Sequence, residues 1–535
     1  MEVSSLAGRL TEEIPGELAR REIPGLAIGI CSAGEVLWSA GFGTTQRRDG
    51  SDVTTSTIFS VQSTSKMYTA TAVLLAVQQS GLDLDEPVTT YLPEFEVSSA
   101  FEPRPAERMT LRHLLSHTAG FTHEAPAGSN YRIGRGSFEA HCQSIAGTWL
   151  RFPVGHHFEY SNLGIDLAGY IVQRVTGVPF ARYVRRELLE PLGLQRSTFD
   201  PRAIAADRNR ARGHWKVFAA ARRPLPLKIP MVAAGGLYAS VQDALRYVQF
   251  HLRGGEQLLD PALLGEQYRI PFPAPGQSRG YGLGVYLDQW DPGVGVRQHG
   301  GAGFGFLCQL CWIPELGLGA VVLTNSFGHM LHNELAARIV RELATSAGRV
   351  AGRPPAGPGD DGAAAPAPAG DGELAGPADA SAAGEYIGRL GDCAEVVAGP
   401  GRLRVRGAGP GRYRVLPPAG GSAGYLQNLA DGTTRYKNDP GATPASALDP
   451  DRAGTYVLKA SGVTLETYRI FQDGDSPVIE MPDDNEEPGG RRLRLRLAPL
   501  APGRYLSSMG EVLDLRPDRP VYANMQLTRV RDEGR

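Results

Sequence analysis

Ser63-Thr64-Ser65-Lys66 opens a helical run that continues to Ser80 and is closed by Gly81, and the reading of this stretch decides the fold around it. On a helix the three-residue spacing sets Ser63 and Lys66 on one face. The chain holds five lysines against fifty arginines, so a lysine here is an uncommon choice. An amine beside a serine hydroxyl can hold or accept the proton that the hydroxyl must lose to become a nucleophile, which points to acyl transfer. The plain alternative is a Ser/Lys pair on a solvated helix, and the motif alone does not separate the two.

Outward from this helix, a polar-apolar helix at about Leu6 to Arg21 leads into two short apolar runs, Gly25 to Ile30 and Val36 to Phe42. Placed around Ala33-Gly34, they read as a hairpin. Downstream, Leu163 to Thr176 is a further helix closed by Gly177. Strand-like runs return at Val294 to Gln298, Gly305 to Trp312 and Leu318 to Thr324, before a last helix near Leu331 to Leu343. Two strands, a long helical insertion, three strands and a final helix predict an α/β (α+β) domain over residues 1–348, with one antiparallel sheet flanked by helices and its first and last strands adjacent. Residues 349–383, rich in Ala, Pro and Gly, read as a linker. Residues 384–535 carry period-two runs such as Arg402-Leu403-Arg404-Val405-Arg406, Thr464 to Tyr468 and Arg492 to Leu497, the pattern of an all-β barrel or sandwich.

With 42% hydrophobic and 21% charged residues and a formal charge of −2, the chain has ordinary globular composition and no overall field that selects nucleic acid or an anionic membrane. The arginine stripes of the C-terminal part lack interleaved aromatics and read as solvated strand faces. Five scattered cysteines argue for reduced thiols, and Cys308 and Cys311, three apart on a strand, read as buried thiols facing opposite sides rather than a metal or redox pair. The N-terminus lacks the basic start and apolar core of a signal peptide, and no segment has the length of a membrane span. The expectation is a soluble cytoplasmic protein.

Two further segments share the order of a catalytic constellation. Tyr160-Ser161-Asn162 follows the Pro153-Val154-Gly155 loop just before a helix, and His299-Gly300-Gly301-Ala302 reads as a strand end opening a turn. Alone, each reads equally as a helix cap or a tight turn. Together, SxxK, YxN and HxG resemble the serine hydrolases related to class C β-lactamases, a family that includes D-aminopeptidases, DD-carboxypeptidases and EstB-type esterases. Leu114-Leu115-Ser116-His117-Thr118-Ala119-Gly120 and Glu190-Pro191-Leu192-Gly193-Leu194 are family-like phrases within the same span.

The resemblance implies a β-lactamase/transpeptidase-like fold with no metal and no cofactor, and a small-molecule or peptide acyl substrate. It implies Ser63 as nucleophile, Lys66 as the group that readies its hydroxyl, and Tyr160 as second base and proton donor to the leaving group. A phenol with its usual pKa of about 10 is a poor base at neutral pH, so a cation such as Lys66 must lower it. The backbone N–H groups of Ser63 and Ala302 are the implied oxyanion hole, and Asn162, His299, Gly300 and Gly301 the implied substrate contacts. Where β-lactamases typically carry Lys-Thr-Gly, this chain has His299-Gly300-Gly301, which removes a fixed positive charge suited to a β-lactam carboxylate and shifts the expectation to amides and esters. Capture of the acyl group by an amine or alcohol, as in acyltransferases or peptide cyclases, is the near alternative; a non-catalytic binding or sensor protein of the same fold is the distant one. Loops Glu124 to Gly136 and His214 to Pro230 are expected to wall the pocket. His117 reads as structural, His156-His157 as solvent-facing, and Asp166 as a first-turn helix charge. Gly384 to Gly388 resembles the opening strand of a lipocalin-like unit. Oligomeric state is left open.

Overall fold

The computed structural model of the chain describes residues 3–128, 136–214, 230–273, 277, 279–291 and 294–346. Beyond these it describes 372–374, 384–388, 393–399, 402–406, 412–416, 425–428, 434–437, 448, 452–460, 463–474, 476–482, 492–501, 504–507, 509, 511–516, 521–523 and 525–530. It forms two compact units, one of Met1–Asp85, Ile165–Pro271 and Arg279–Gly362, the other of Glu86–Gly164, Phe272–Ser278 and Ala363–Arg535.

The first unit begins with α1 (Val3–Arg21), the hairpin β1 (Gly25–Ser32) and β2 (Val36–Gly43), and α2 (Ser65–Ser80). After α3 (Asn162–Thr176) and α4 (Val241–Leu252), it continues with β3 (Gly280–Tyr281), β4 (Tyr286–Asp291), β5 (Val294–Gly303), β6 (Phe306–Ile313), β7 (Leu318–Thr324) and α5 (Leu331–Ser346). The sheet has seven strands in the order β2-β1-β7-β6-β5-β4-β3. Every pairing in it is antiparallel, and β1 meets β7 from Leu26↔Thr324 to Ser32↔Leu318, as the sequence predicts.

Side chains alternate across this sheet and sort its two faces. Ile28, Ile30, Cys311, Ala320 and Val322 join Leu6, Leu10, Ile14, Leu335 and Ile339 in one core, so α1 and α5 cover that face. Gly29 and Gly319 point the other way, toward α4: a Cβ there would stand 2.4 Å from Leu245 Cδ1 and 2.5 Å from Val248 Cγ1. Every residue of α2 from Ser65 to Ala76 is buried, so over these turns the helix has no solvated face and carries Lys66 into the interior. Gly81 ends it in the left-handed conformation at φ +71°.

Two local readings are corrected. His299 to Ala302 lie inside β5, which stays paired with β6 as far as Gly303↔Phe306, and the reversal is made by Phe304 (φ +49°) and Gly305 (φ +81°). The Gly-Gly pair reads as a turn in sequence but is instead a side-chain-free stretch of strand. His157 is 3% exposed and its ring lies 3.7 Å from that of Phe152, so it is a packed residue rather than a solvent-facing one. The CxxC thiols are buried on opposite faces as read: Cys308 Sγ lies 3.1 Å from Val61 O, and Cys311 Sγ 3.9 Å from Ala320 O.

In the second unit, short helices at Val88–Tyr91, Leu111–Leu115 and Phe138–Ser144 precede an all-β part. Among the described residues that part contains a closed barrel of seven strands and a nine-stranded sheet, the all-β character the sequence reading expects. Gly384–Gly388 is a barrel strand. Gly372–Leu374, within the stretch read as linker, is another, paired with Arg402–Arg406 and Arg412–Leu416; the rest of 349–383 lies outside the described residues. The nine-stranded sheet is cored by Tyr456, Tyr468, Ile470, Ile479, Leu493, Leu495 and Leu513. Its arginine stripe is not simply solvated: Arg492 Nε and Arg494 Nε donate to the two oxygens of buried Glu480 at 2.9 and 3.0 Å. Among the described residues, no helix is long and apolar enough to cross a membrane.

Candidate active site

Ser63 lies in a 3-10 turn, Gln62–Thr64, that runs directly into α2. The turn is fixed from several sides. Val61 N donates to Leu237 O at 3.0 Å, and Gln62 Nε2 donates to Ser60 Oγ at 2.6 Å. Thr64 Oγ1 donates to His299 O at 3.2 Å and lies 3.2 Å from Cys308 Sγ. Gln62 takes φ +46°, unusual for a residue with a Cβ, at the position before the serine. Strand β5 presses on the same turn, since a Cβ on Gly301 would stand 2.1 Å from Val61 O.

Lys66 is 0% exposed, whereas Ser63 is half-buried. Lys66 Nζ donates to Ser63 Oγ at 3.0 Å and to Ala234 O at 3.0 Å. Ala234 N in turn donates to Asp166 Oδ1 at 3.0 Å, and Asp166 is 0% exposed. Asp166 is therefore a buried support of the lysine's partner and not a surface charge on α3. Sequence reasoning read it as a first-turn helix charge and not as this support, although its place four residues after Asn162, on the same helical face, was a usable signal. The short helix Val232–Gly235 presents Ala234 O, and just beyond it Leu237 N donates to Ser65 Oγ at 3.1 Å.

His299 is also 0% exposed; its Nε2 lies 2.8 Å from the Tyr281 hydroxyl and its Nδ1 2.6 Å from Gly300 O. The imidazole is thus built into the sheet, and what β5 presents at Gly300 to Ala302 is chiefly backbone. The structure brings Ser63, Lys66, His299 O and the Gly301 segment of β5 together in the first unit.

Tyr160 and Asn162 belong to the second unit. Tyr160 is 4% exposed, with its ring 4.3 Å from that of His117 and 6.1 Å from that of His123. Its turn is tied down by its neighbours. Glu159 N donates to His117 O at 2.9 Å, Ser161 N to His117 Nδ1 at 3.2 Å, and Ser161 Oγ to Thr122 O at 2.6 Å. His117 is buried (2% exposed) and takes φ +59°. Asn162 Nδ2 lies 3.5 Å from His123 Nε2, and His123 Nδ1 lies 2.8 Å from Glu124 Oε1; sequence reasoning singled out neither residue. Burial pushes the His157 imidazole well below its usual range, with His156 and Arg151 acting in the same direction. Residues 129–135 and 215–229 of the two loops read as pocket walls lie outside the described residues. Among the described residues, no group of three His, Cys, Asp or Glu is placed to hold a metal ion.

Comparison with known proteins adds four findings. The beta-lactamase family model matches residues 10–345. Esterase EstB of Burkholderia gladioli is 30% identical over 365 residues, 61% of this chain and 92% of that one. The D-alanyl-D-alanine-carboxypeptidase/endopeptidase AmpH of Escherichia coli is 24% identical over 286 residues, 50% of this chain and 70% of that one. Among solved structures, the octameric penicillin-binding protein homologue of Pyrococcus abyssi shares the fold, with TM-score 0.56 and 21% identity across 98% of this chain and 100% of that one.

Proposed function

Because the chain belongs to the beta-lactamase family, a family of serine hydrolases, we propose that it cleaves esters or amides through an acyl-enzyme on Ser63 and that β-lactams are poor substrates. The observation that carries this reading is the 3.0 Å contact between Ser63 Oγ and the wholly buried Lys66 Nζ. An ammonium at that distance stabilises the developing alkoxide, and its second bond to Ala234 O fixes its direction.

In the proposed reaction Tyr160 takes the Ser63 proton as Oγ attacks the substrate carbonyl carbon. The carbonyl π pair moves to oxygen, where the N–H groups of Ser63 and Ala302 hold it. Collapse breaks the bond to the leaving alcohol or amine, which receives the proton from Tyr160. Water then attacks the carbonyl of the ester on Ser63 as Tyr160 takes one of its protons; collapse breaks the bond to Oγ, Tyr160 passes that proton to Oγ, and the acid leaves. Asn162, Gly300 and Gly301 serve substrate contact through amide and backbone groups. His299 contributes through its strand position, since its ring is committed to Tyr281. The absence of a lysine at that strand position, together with the similarity to an esterase, supports the preference against β-lactams.

The test is covalent labelling of the full chain with a fluorophosphonate and with an activated ester, mapped by mass spectrometry. Turnover of p-nitrophenyl esters, D-amino-acid amides and a chromogenic cephalosporin follows. Ser63 should carry the label, Ser63→Ala should abolish turnover, and the cephalosporin should rank last. A folded protein left unlabelled at Ser63, or one that favours the cephalosporin, overturns the proposal. Added alcohols or amines show whether water or another nucleophile receives the acyl group.

A further inference from the structure

The second unit contains a buried ionic group that the proposed reaction does not use. Arg151, 3% exposed, faces two carboxylates: its Nη1 lies 3.2 Å from Glu159 Oε1 and its Nε 3.0 Å from Glu511 Oε1. Its Nε and Nη2 also donate to Met509 O, at 3.1 and 2.8 Å. Glu159 is the residue before Tyr160. Met509 and Glu511 come from the C-terminal nine-stranded sheet, in the turn between Arg504–Ser507 and Val512–Asp514. That turn is closed by Ser507 N donating to Glu511 O at 2.8 Å and Glu511 N donating to Ser507 Oγ at 3.1 Å.

A second line leaves the same carboxylate. Thr122 Oγ1 donates to Glu511 Oε1 at 3.0 Å, and Thr122 O accepts from Ser161 Oγ at 2.6 Å. One line therefore ends on the residue before Tyr160 and the other on the residue after it. A buried guanidinium between two carboxylates offsets its desolvation only while its geometry is kept, so such a group sets position more than it adds stability.

We infer that Glu511 of the C-terminal sheet, acting through Arg151–Glu159 and Thr122–Ser161, holds the Tyr160 turn in its reactive geometry. Glu511 and Arg151 are thus positioning residues for the hydrolysis. The inference rests on the reading of Tyr160 as the proton carrier. It gives the C-terminal sheet a defined part in catalysis through a single side chain.

The experiment uses the full chain with Glu511→Ala, Glu511→Gln, Arg151→Lys and, as a control, Arg504→Gln. Arg504 also belongs to the C-terminal sheet and lies over Trp149, 5.6 Å from its ring centroid, but it is on neither line to Tyr160. For each variant, thermal unfolding, kcat and KM for a p-nitrophenyl ester, and the pH dependence of kcat are measured. Among the described residues, the titratable side chains near Tyr160 include His117, His123 and Glu159, with Arg151 and Glu511 beyond it; the proposed reaction adds Lys66.

A turn displaced by a fraction of an ångström should lower kcat at least about tenfold in Glu511→Ala, with KM changed far less and the acidic limb of the pH profile, set by the base Tyr160, moved. Glu511→Gln, which keeps an acceptor for Thr122, and Arg151→Lys, which keeps the charge, should each restore part of the rate. Arg504→Gln should behave as the parent. If Glu511→Ala does not fold, Glu511→Gln carries the test through the same kcat and pH readout. A folded Glu511→Ala, or failing that a folded Glu511→Gln, with the parent's kcat and pH profile overturns the inference. Turnover that persists in Ser63→Ala instead overturns the function proposal, so the two failures are distinct.

Discussion

Replacing Gly301 with alanine tests the contact that sets the strand against the Ser63 turn. The added Cβ would stand 2.1 Å from Val61 O and 2.7 Å from Cys308 Sγ, both closer than the 3.0 Å below which real Cβ contacts essentially do not occur. The nearest atom is backbone and cannot swing aside, so β5 and the Val61 turn must separate by close to 1 Å. Overpacking of this kind costs about 1–3 kcal/mol of stability, which lowers Tm by several degrees in a unit of this size. The effect on rate should be larger. Ser63 and Ala302 lie on the two segments being forced apart, and misplacing one oxyanion donor costs roughly 10²–10³-fold in kcat. The same strand supplies a graded control: a Cβ on Gly300 meets the mobile end of Gln309 at 2.8 Å, and one on Gly295 meets a Glu315 carboxylate oxygen at 3.5 Å. Ester hydrolysis and thermal unfolding measured across Gly295→Ala, Gly300→Ala and Gly301→Ala should fall in that order. A folded Gly301→Ala with kcat within about threefold of the parent would refute the assignment of β5 as one wall of the oxyanion site.

Lys66→Met should lower kcat about 10³-fold while leaving the protein folded, read by steady-state kinetics beside circular dichroism; a loss under tenfold would remove Lys66 from the reaction. Asp166→Asn keeps an acceptor for Ala234 N and should cost little stability. Asp166→Ala orphans that buried N–H, at about 1–3 kcal/mol, and should release the carbonyl that directs Lys66, so denaturant midpoint and kcat should fall together only in the alanine variant. Burial also holds His251 and His332 at pKa values of about 3. The unfolded chain binds those protons below its ordinary pKa of about 6.5 and the folded chain does not, so this stability is complete above about pH 6.5 and is lost as pH falls toward 3. Between pH 6.5 and 5 the two together cost up to about 4 kcal/mol. Unfolding curves should show this decline, and His251→Gln should reduce its slope by about one proton; a Tm that is flat over that range would contradict the assignment.

Local pattern made much of this molecule readable. Helix α2, the β1–β2 hairpin and the β7 strand follow from run length, β-branched residues and terminal glycines, all of which act within a few residues. The site was readable only in part, because its supports join residues far apart in sequence. Ala234 N bonds Asp166 across 68 positions, and Arg151 bonds Met509 across 358. His299-Gly300-Gly301 was misread for the same reason. Two glycines in a row signal a turn when only neighbours are considered, whereas here the missing side chains make room for Val61 from another part of the chain. His157 was misplaced because a loop position predicts solvent, while Phe152 covers the ring.

The supports of Lys66 explain why a charge is kept where it is costly. A buried ammonium is stable only when its hydrogen bonds are met and its charge is balanced nearby. Lys66 meets Ser63 Oγ and Ala234 O, and the Asp166 carboxylate lies on the far side of the same residue, bound to Ala234 N. The carboxylate thus braces the same alanine whose carbonyl receives the lysine, and so helps to fix the direction in which Nζ meets the Ser63 hydroxyl. The left-handed Gln62 beside the serine is local stability given up where a half-buried hydroxyl has to be aimed, and it is a physical reason for the proposal of Ser63 as the reacting group.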